Sequence, residues 1–400
     1  MTITVPRRPE VLARNAGSAR TDALAHVGLN WFAIVMGTGI TANAAAQLPL
    51  QLPGLRAAAT GLWLLAAALL AALGAAWAMR AIRHSEHARA DRDHPVLAHF
   101  AGAAPMAVLT VGTGALLFGP DLIGASAAVT LAWVLWPVGA VMGLATAFAV
   151  PYRMITRTPA QRPDAAFGGW LMPVVPPMVA AATGALLIPH TPPGQARLTL
   201  VICCGAMFGL SLFAALITTT MIWSRLMHFG APGAGLVPTL WIVLGPLGQS
   251  VTAASAMADA TPGLLPAPQA ETAVAAATIF GIATWGFAML WLALALAVTA
   301  RAIRARALPF SLTWWGFTFP LGTCVTASTA LFQHTGADLF AVAAVALYAL
   351  LVGNWGTVAV RTARGVRDGS LLRPGAPAPE QNAAAAAPRF AAWTRAGAST

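Results

Sequence analysis

The sequence predicts an all-α polytopic membrane protein with ten transmembrane helices, and three observations predict it. Hydrophobic residues make up 58% of the chain and charged residues 9%, with a mean hydropathy of +0.72; soluble domains carry roughly 25% charged residues. Ten stretches are apolar over the roughly 20 residues that a helix needs to cross a bilayer. In five of them a Pro or a Gly-x-Gly recurs at one internal position. These anchors, Gly37, Pro105, Pro173 (or Pro176), Pro246 and Pro320, are 68, 68, 73 and 74 residues apart. Self-similarity at a fixed period means that one supersecondary unit is repeated. The unit here is a helical hairpin, so the chain reads as five hairpins.

Residues 1–26 hold four Arg and no apolar h-region, so they read as a basic tail and not as a signal peptide. No hydrophobic stretch follows Arg7-Arg8 before residue 29, which argues against a twin-arginine signal. The spans then follow at 29–48, 57–78, 98–118, 122–149, 167–189, 197–221, 235–257, 272–299, 311–332 and 339–360, within a membrane domain of 27–360. The odd-numbered spans carry the anchors and most of the polar groups. Span 1 places Asn30, Thr38, Thr41 and Asn43 around Gly37-Thr38-Gly39. Span 7 has Gln249, Ser250, Thr252 and Ser255, and span 9 has Thr318, Thr323, Thr326, Ser328 and Thr329. Spans 2, 4, 8 and 10 are mostly Ala, Leu, Val and Trp; span 6 departs from them with Thr218-Thr219-Thr220. Residues 361–400, rich in Ala, Pro and Gly, read as a disordered tail.

Charge sets the expected topology. All 23 basic residues are Arg. The termini and the loops after even-numbered spans hold 19 of those near a span, and the opposite side holds only Arg56 and Arg197. Short basic loops stay in the cytoplasm, so both termini are expected inside. The net charge of +11 then reflects topology and gives no reason to invoke nucleic acid.

Proline within a helix removes a hydrogen bond and kinks the chain, and in lipid the freed carbonyl must meet protein or a water-filled cavity. Pro and Gly are common in membrane helices, so one proline says little. Five at one period place the odd helices around a common interior, with the apolar even helices outside. No Asp, Glu or Arg falls inside a span, whereas proton-coupled pumps usually need a buried carboxylate or His relay. The chain has no catalytic constellation, no nucleotide site and no metal-ligand spacing. Cys203, Cys204 and Cys324 read as small buried residues. We therefore expect no enzyme, no metal and no cofactor.

Three motifs carry a family resemblance. The segment Asn30-Trp31-Phe32-Ala33-Ile34-Val35-Met36-Gly37-Thr38-Gly39-Ile40 resembles the opening span of the tellurite-resistance/dicarboxylate transporter family. Pro238-Thr239-Leu240-Trp241-Ile242-Val243-Leu244-Gly245-Pro246 is similar to its seventh span, and Trp314-Trp315-Gly316-Phe317-Thr318-Phe319-Pro320 to its ninth. The family includes malic acid transporters, fungal sulfite exporters and plant slow anion channels. The resemblance implies five hairpins with quasi-fivefold symmetry around a central pore, and a homotrimer with one pore per subunit. It also implies a Phe of span 9 plugging the pore, at Phe319 or, as second choice, Phe317. Residues preceding the anchors are Met36, Ala104, Met172, Gly245 and Phe319, of which only Phe319 is a rigid ring. The expected pore-lining set is Gly37, Thr38, Gly39, Pro105, Pro173, Pro176, Pro246 and Pro320, with Thr41, Gln249, Ser250 and Thr323 as its polar groups. An uncharged pore lined by hydroxyls, amides and backbone dipoles can hold an anion without trapping it. The expected function is passage of small anions across the cytoplasmic membrane. C4-dicarboxylate or malate leads, sulfite efflux or chloride and nitrate conduction follow, and a non-transporting membrane sensor is the reading from another class.

Overall fold

A computed structural model describes residues 23–156 and 161–372. The expected basic tail therefore lies mostly outside the described residues, as does the end of the chain from 373. The described residues form eleven α-helices: α1 (Phe32–Gln47), α2 (Leu55–Arg83), α3 (Ser85–Asp93), α4 (Ala103–Ile123), α5 (Ala125–Thr156), α6 (Pro176–Leu187), α7 (Gln195–Phe229), α8 (Leu244–Asp259), α9 (Ala267–Arg304), α10 (Phe319–Thr335) and α11 (Asp338–Arg367). Only helices and closed barrels satisfy every backbone group within lipid, and the long Ala- and Leu-rich stretches take the helical solution.

Among the described residues, seven helical segments are long and apolar enough to cross a bilayer by length and composition, where ten spans are expected. Stretches 29–48, 167–189 and 311–332 each divide into a 3-10 segment and a shorter α-helix, of 16, 12 and 17 residues. The prolines explain the division at two of the three. The expected kinks inside continuous helices are replaced by a change of helix type. Pro105 is the third residue of α4, Pro176 the first of α6, Pro246 the third of α8 and Pro320 the second of α10. Each stands in a first turn, where a missing N–H breaks no helical bond. Each of those four helices is preceded by 3-10 backbone: Leu97–Gly102, Gly168–Leu171, Ala234–Val243 and Leu312–Phe317. Pro173 lies in the turn between Gly168–Leu171 and α6. Gly37 differs, because α1 runs through it unbroken.

Helices α1, α4, α6, α8 and α10 pack each against the next, and α10 packs against α1. Each outer helix lies across two neighbours: α2 on α1 and α4, α5 on α4 and α6, α7 on α6 and α8, α9 on α8 and α10, α11 on α10 and α1. Burial follows this order. The apolar window of Ala234–Asp259 is 94% buried and that of Leu97–Ile123 78%, against 11% to 28% for the five outer helices. Outer tryptophans donate to inner backbone: Trp63 to Val111 O at 3.0 Å, Trp136 to Ala180 O at 2.8 Å and Trp291 to Leu240 O at 2.8 Å. Glycines let the 3-10 segments meet backbone to backbone. A Cβ on Gly168 would stand 1.7 Å from Thr239 O, and one on Gly102 1.8 Å from Met172 O. The last helix continues to Arg367, beyond the expected boundary at 360, and buries Thr362, whose hydroxyl accepts the Trp315 indole N–H at 3.1 Å.

Candidate functional site

Two cavities lie inside the five-helix ring, and Phe319 lines both. The larger, about 280 Å³, is walled by the later turns of the inner helices and reaches Gln47, Asp259 and Gln333 near their C-terminal ends. Its lining is rich in neutral polar groups: Asn43 from α1, Thr110 and Thr113 from α4, Thr183 from α6, Gln249, Thr252 and Ser255 from α8, and Thr326 from α10. The smaller is only about 10 Å³, roughly room for one water, and is apolar. It is lined by the starts of α1, α4, α8 and α10, including Met36, Met106, Gly245 and Phe319, and by Met172 and Val175 just before α6. Phe319 is 2% exposed and is the first residue of α10.

Hydrogen bonds organise the polar cavity. Asn43 Nδ2 donates to Thr110 O at 3.0 Å, the Thr113 and Thr183 hydroxyls meet at 2.9 Å, and those of Thr252 and Thr326 at 2.8 Å. Several hydroxyls are also bonded back to their own helix, Thr110 to Met106 O at 2.6 Å and Thr183 to Val179 O at 3.0 Å. Asn43 Oδ1 and Ser255 Oγ have no partner among the described residues. Among the described residues of the lining Asp259 is the one ionisable side chain, and its carboxylate pairs with His334 Nε2 at 2.8 Å. With no fixed cation, the cavity offers neutral dipoles, which hold an anion weakly enough to release it. The α-helical N-termini, where backbone dipoles present positive potential, stand at the constriction and not at the outer end of each span.

The expected site residues divide. Phe319, Pro246, Pro320 and Gln249 line the axial cavities. Phe317 packs edge-on against Trp241 at 5.1 Å and Trp314 at 5.6 Å, and lines neither. Thr38 turns outward, accepting the Trp355 indole N–H at 3.1 Å from α11. Gly37 and Gly39 give α1 close approach on opposite faces; Cβ atoms there would lie 2.3 Å from Thr318 Oγ1 and 2.7 Å from Thr110 Cγ2. Thr41 bonds back to Gly37 O, and Thr323 reaches Gly245 O across the α8–α10 contact. Ser250 lines a separate groove between α7 and α9. Pro105, Pro173 and Pro176 shape the helix starts and do not border either axial cavity. The expected set omitted Thr110, Thr113 and Thr183, yet the repeat carried a signal for them. The bonded pairs Asn43–Thr110, Thr113–Thr183 and Thr252–Thr326 are 67, 70 and 74 residues apart, close to the spacing of the anchors.

Comparison with known proteins agrees with this architecture. The chain is 29% identical over 359 residues to an uncharacterized transporter of Methanocaldococcus jannaschii, covering 90% of this chain and 99% of that one. It is 28% identical to a sulfite efflux pump of Arthroderma otae, over 83% of this chain and 89% of the pump. A sulfite efflux pump of Trichophyton rubrum is also 28% identical, with 80% and 85% covered. Residues 26–363 match the voltage-dependent anion channel family, which includes the relatives that the three sequence motifs resemble. The multi-pass helical chain is a member of that family of anion transporters and channels.

Proposed function

We propose that small anions cross the cytoplasmic membrane along the axis of this ring, and that Phe319 closes the path. Five hairpins, ten spans in all, then surround one pore with quasi-fivefold symmetry, both termini face the cytoplasm, and the protein assembles as a homotrimer with one pore per subunit. The observation that carries the reading is Phe319 itself, a rigid ring bordering a polar cavity on one side and a nearly closed apolar one on the other. An apolar constriction of this kind blocks ions by dewetting.

The substrate we favour is sulfite or an anion of similar size. Relatives named for sulfite efflux support it. Flux into proteoliposomes, compared for sulfite, chloride, nitrate and malate, tests this. Sulfite flux well above malate flux is expected; malate as the fastest anion would return the reading to dicarboxylates, and no flux of any anion would favour a sensor.

A further inference from the structure

A third cavity, about 380 Å³, lies beside the Arg-rich loop between α2 and α4 and shares no lining residue with the axial pair. Its walls come from the end of α3, the 3-10 segment Leu97–Gly102 and the last turns of α5. The volume falls within the roughly 300–1,000 Å³ usual for small-molecule sites.

Its polar groups form a donor-rich set. His99 is 4% exposed; its ring is within reach of the Pro95 carbonyl, and its Nδ1 has no well-aligned hydrogen-bond partner among the described residues. The ring is held edge-on by Phe167 at 5.4 Å and beside Trp170 at 6.3 Å, so it cannot readily turn away. Buried polar atoms are seldom left unpaired, and those that are call for an explanation such as an absent ion or ligand. His94 Nδ1 accepts the backbone N–H groups of Val96 and Leu97, both at 3.1 Å. That fixes its proton on Nε2, which leaves a further donor. Arg92 from α3 and Arg153 from α5 add two guanidinium groups, and Thr156 and Gln161 add neutral polar groups. Asp93 is the one acid among the described residues of the lining, against Arg92 and Arg153.

We propose that this cavity binds a phosphate-bearing anion, with Arg92 and Arg153 as its charge partners and His94 and His99 as hydrogen-bonding partners. One guanidinium fork satisfies both oxygens of a carboxylate, whereas a tetrahedral phosphate presents three oxygens in different directions and uses donors from several elements. The site does not depend on the axis conducting ions. A ligand here touches the lead-in of α4 through His99, whose ring packs against Phe167 and Trp170 at the lead-in of α6.

The phosphate could belong to a soluble organic phosphate or to a lipid headgroup, and one experiment separates them. The full chain, purified in a neutral detergent, is titrated with inorganic pyrophosphate and, separately, with dihexanoyl phosphatidate, and its melting temperature is tracked. At least one probe is expected to raise it saturably. Arg92→Gln with Arg153→Gln should raise the half-saturating concentration at least about tenfold, the loss of about one charge-assisted contact. His99→Gln should weaken binding in the same direction; should it fold poorly, the arginine pair decides. A response to pyrophosphate points to a soluble phosphate, and a response to phosphatidate alone to a headgroup. No saturable shift in the wild type, or the same half-saturation in the arginine variant, overturns the site.

Discussion

Phe319 and Phe317 are two residues apart, both buried, and differ in what they touch. Phe319 borders two cavities, while Phe317 is clasped by Trp241 and Trp314. Phe319→Ala should therefore raise anion flux several-fold in proteoliposomes with little change in melting temperature. Phe317→Ala should leave flux unchanged while costing about 3–5 kcal/mol, as for a buried Phe in a packed core. The opposite pattern in the same two measurements would make Phe317 the plug. A second contrast concerns glycine. Gly168→Ala drives a Cβ into the Thr239 carbonyl, whereas Gly205, on α7, has nothing within 4 Å of an added Cβ. The first should fold poorly, and the second should be neutral or stabilise by about 0.5–1 kcal/mol, both read from thermal melts. Legibility at this scale was uneven. The ring beside Pro320 could be singled out because its repeat counterparts are small or flexible, but which face of α1 carries Thr38 depends on an indole 317 residues away.

Among the elements, the repeat was readable and its meaning was not. Period and proline position located the start of each inner helix, yet they suggested bends within helices. The chain instead changes from 3-10 to α at or just before each proline, where its missing N–H does no harm. Pro246→Ala should accordingly shift stability by less than about 1 kcal/mol, far below the roughly 3 kcal/mol tied to a proline inside a helix. A stabilisation of that larger size, measured by denaturation in detergent, would show that the proline is strained after all. The cavity hydroxyls were partly visible in the same way. Thr252, Ser255 and Thr326 stood out as polar residues of inner spans, while Thr113 and Thr183 emerge as a pair only once the two helices are laid side by side.

For the whole molecule, the asymmetry of arginines and the closed order of helix contacts come from independent features of the chain. The first was legible directly, since every basic side chain is an Arg and loop membership comes from counting spans. The second was legible only as a repeat, because closing α10 onto α1 is a long-range contact that no local pattern encodes. If the basic side is cytoplasmic, a cysteine at position 86 should resist labelling by impermeant reagents from outside intact cells. Efficient labelling there would reverse the orientation. Mass measurement in mild detergent should give three copies of the 41.0 kDa chain; a monomer would remove the trimer and leave the axial path intact.

The junction of two helix types at the constriction also has a mechanical consequence. A 3-10 helix advances about 2.0 Å and 120° per residue, an α-helix about 1.5 Å and 100°. Each residue of Leu312–Phe317 that rewinds into α-form would shorten that lead-in by about 0.5 Å and turn the start of α10 by about 20°. Two or three such residues would screw the Phe319 ring through roughly 40–60° while the hairpins stay packed. On the proposed reading of Phe319 as the closure, the blockage is a threaded stopper rather than a swinging door, and the torque to move it can be applied from the far end of the thread.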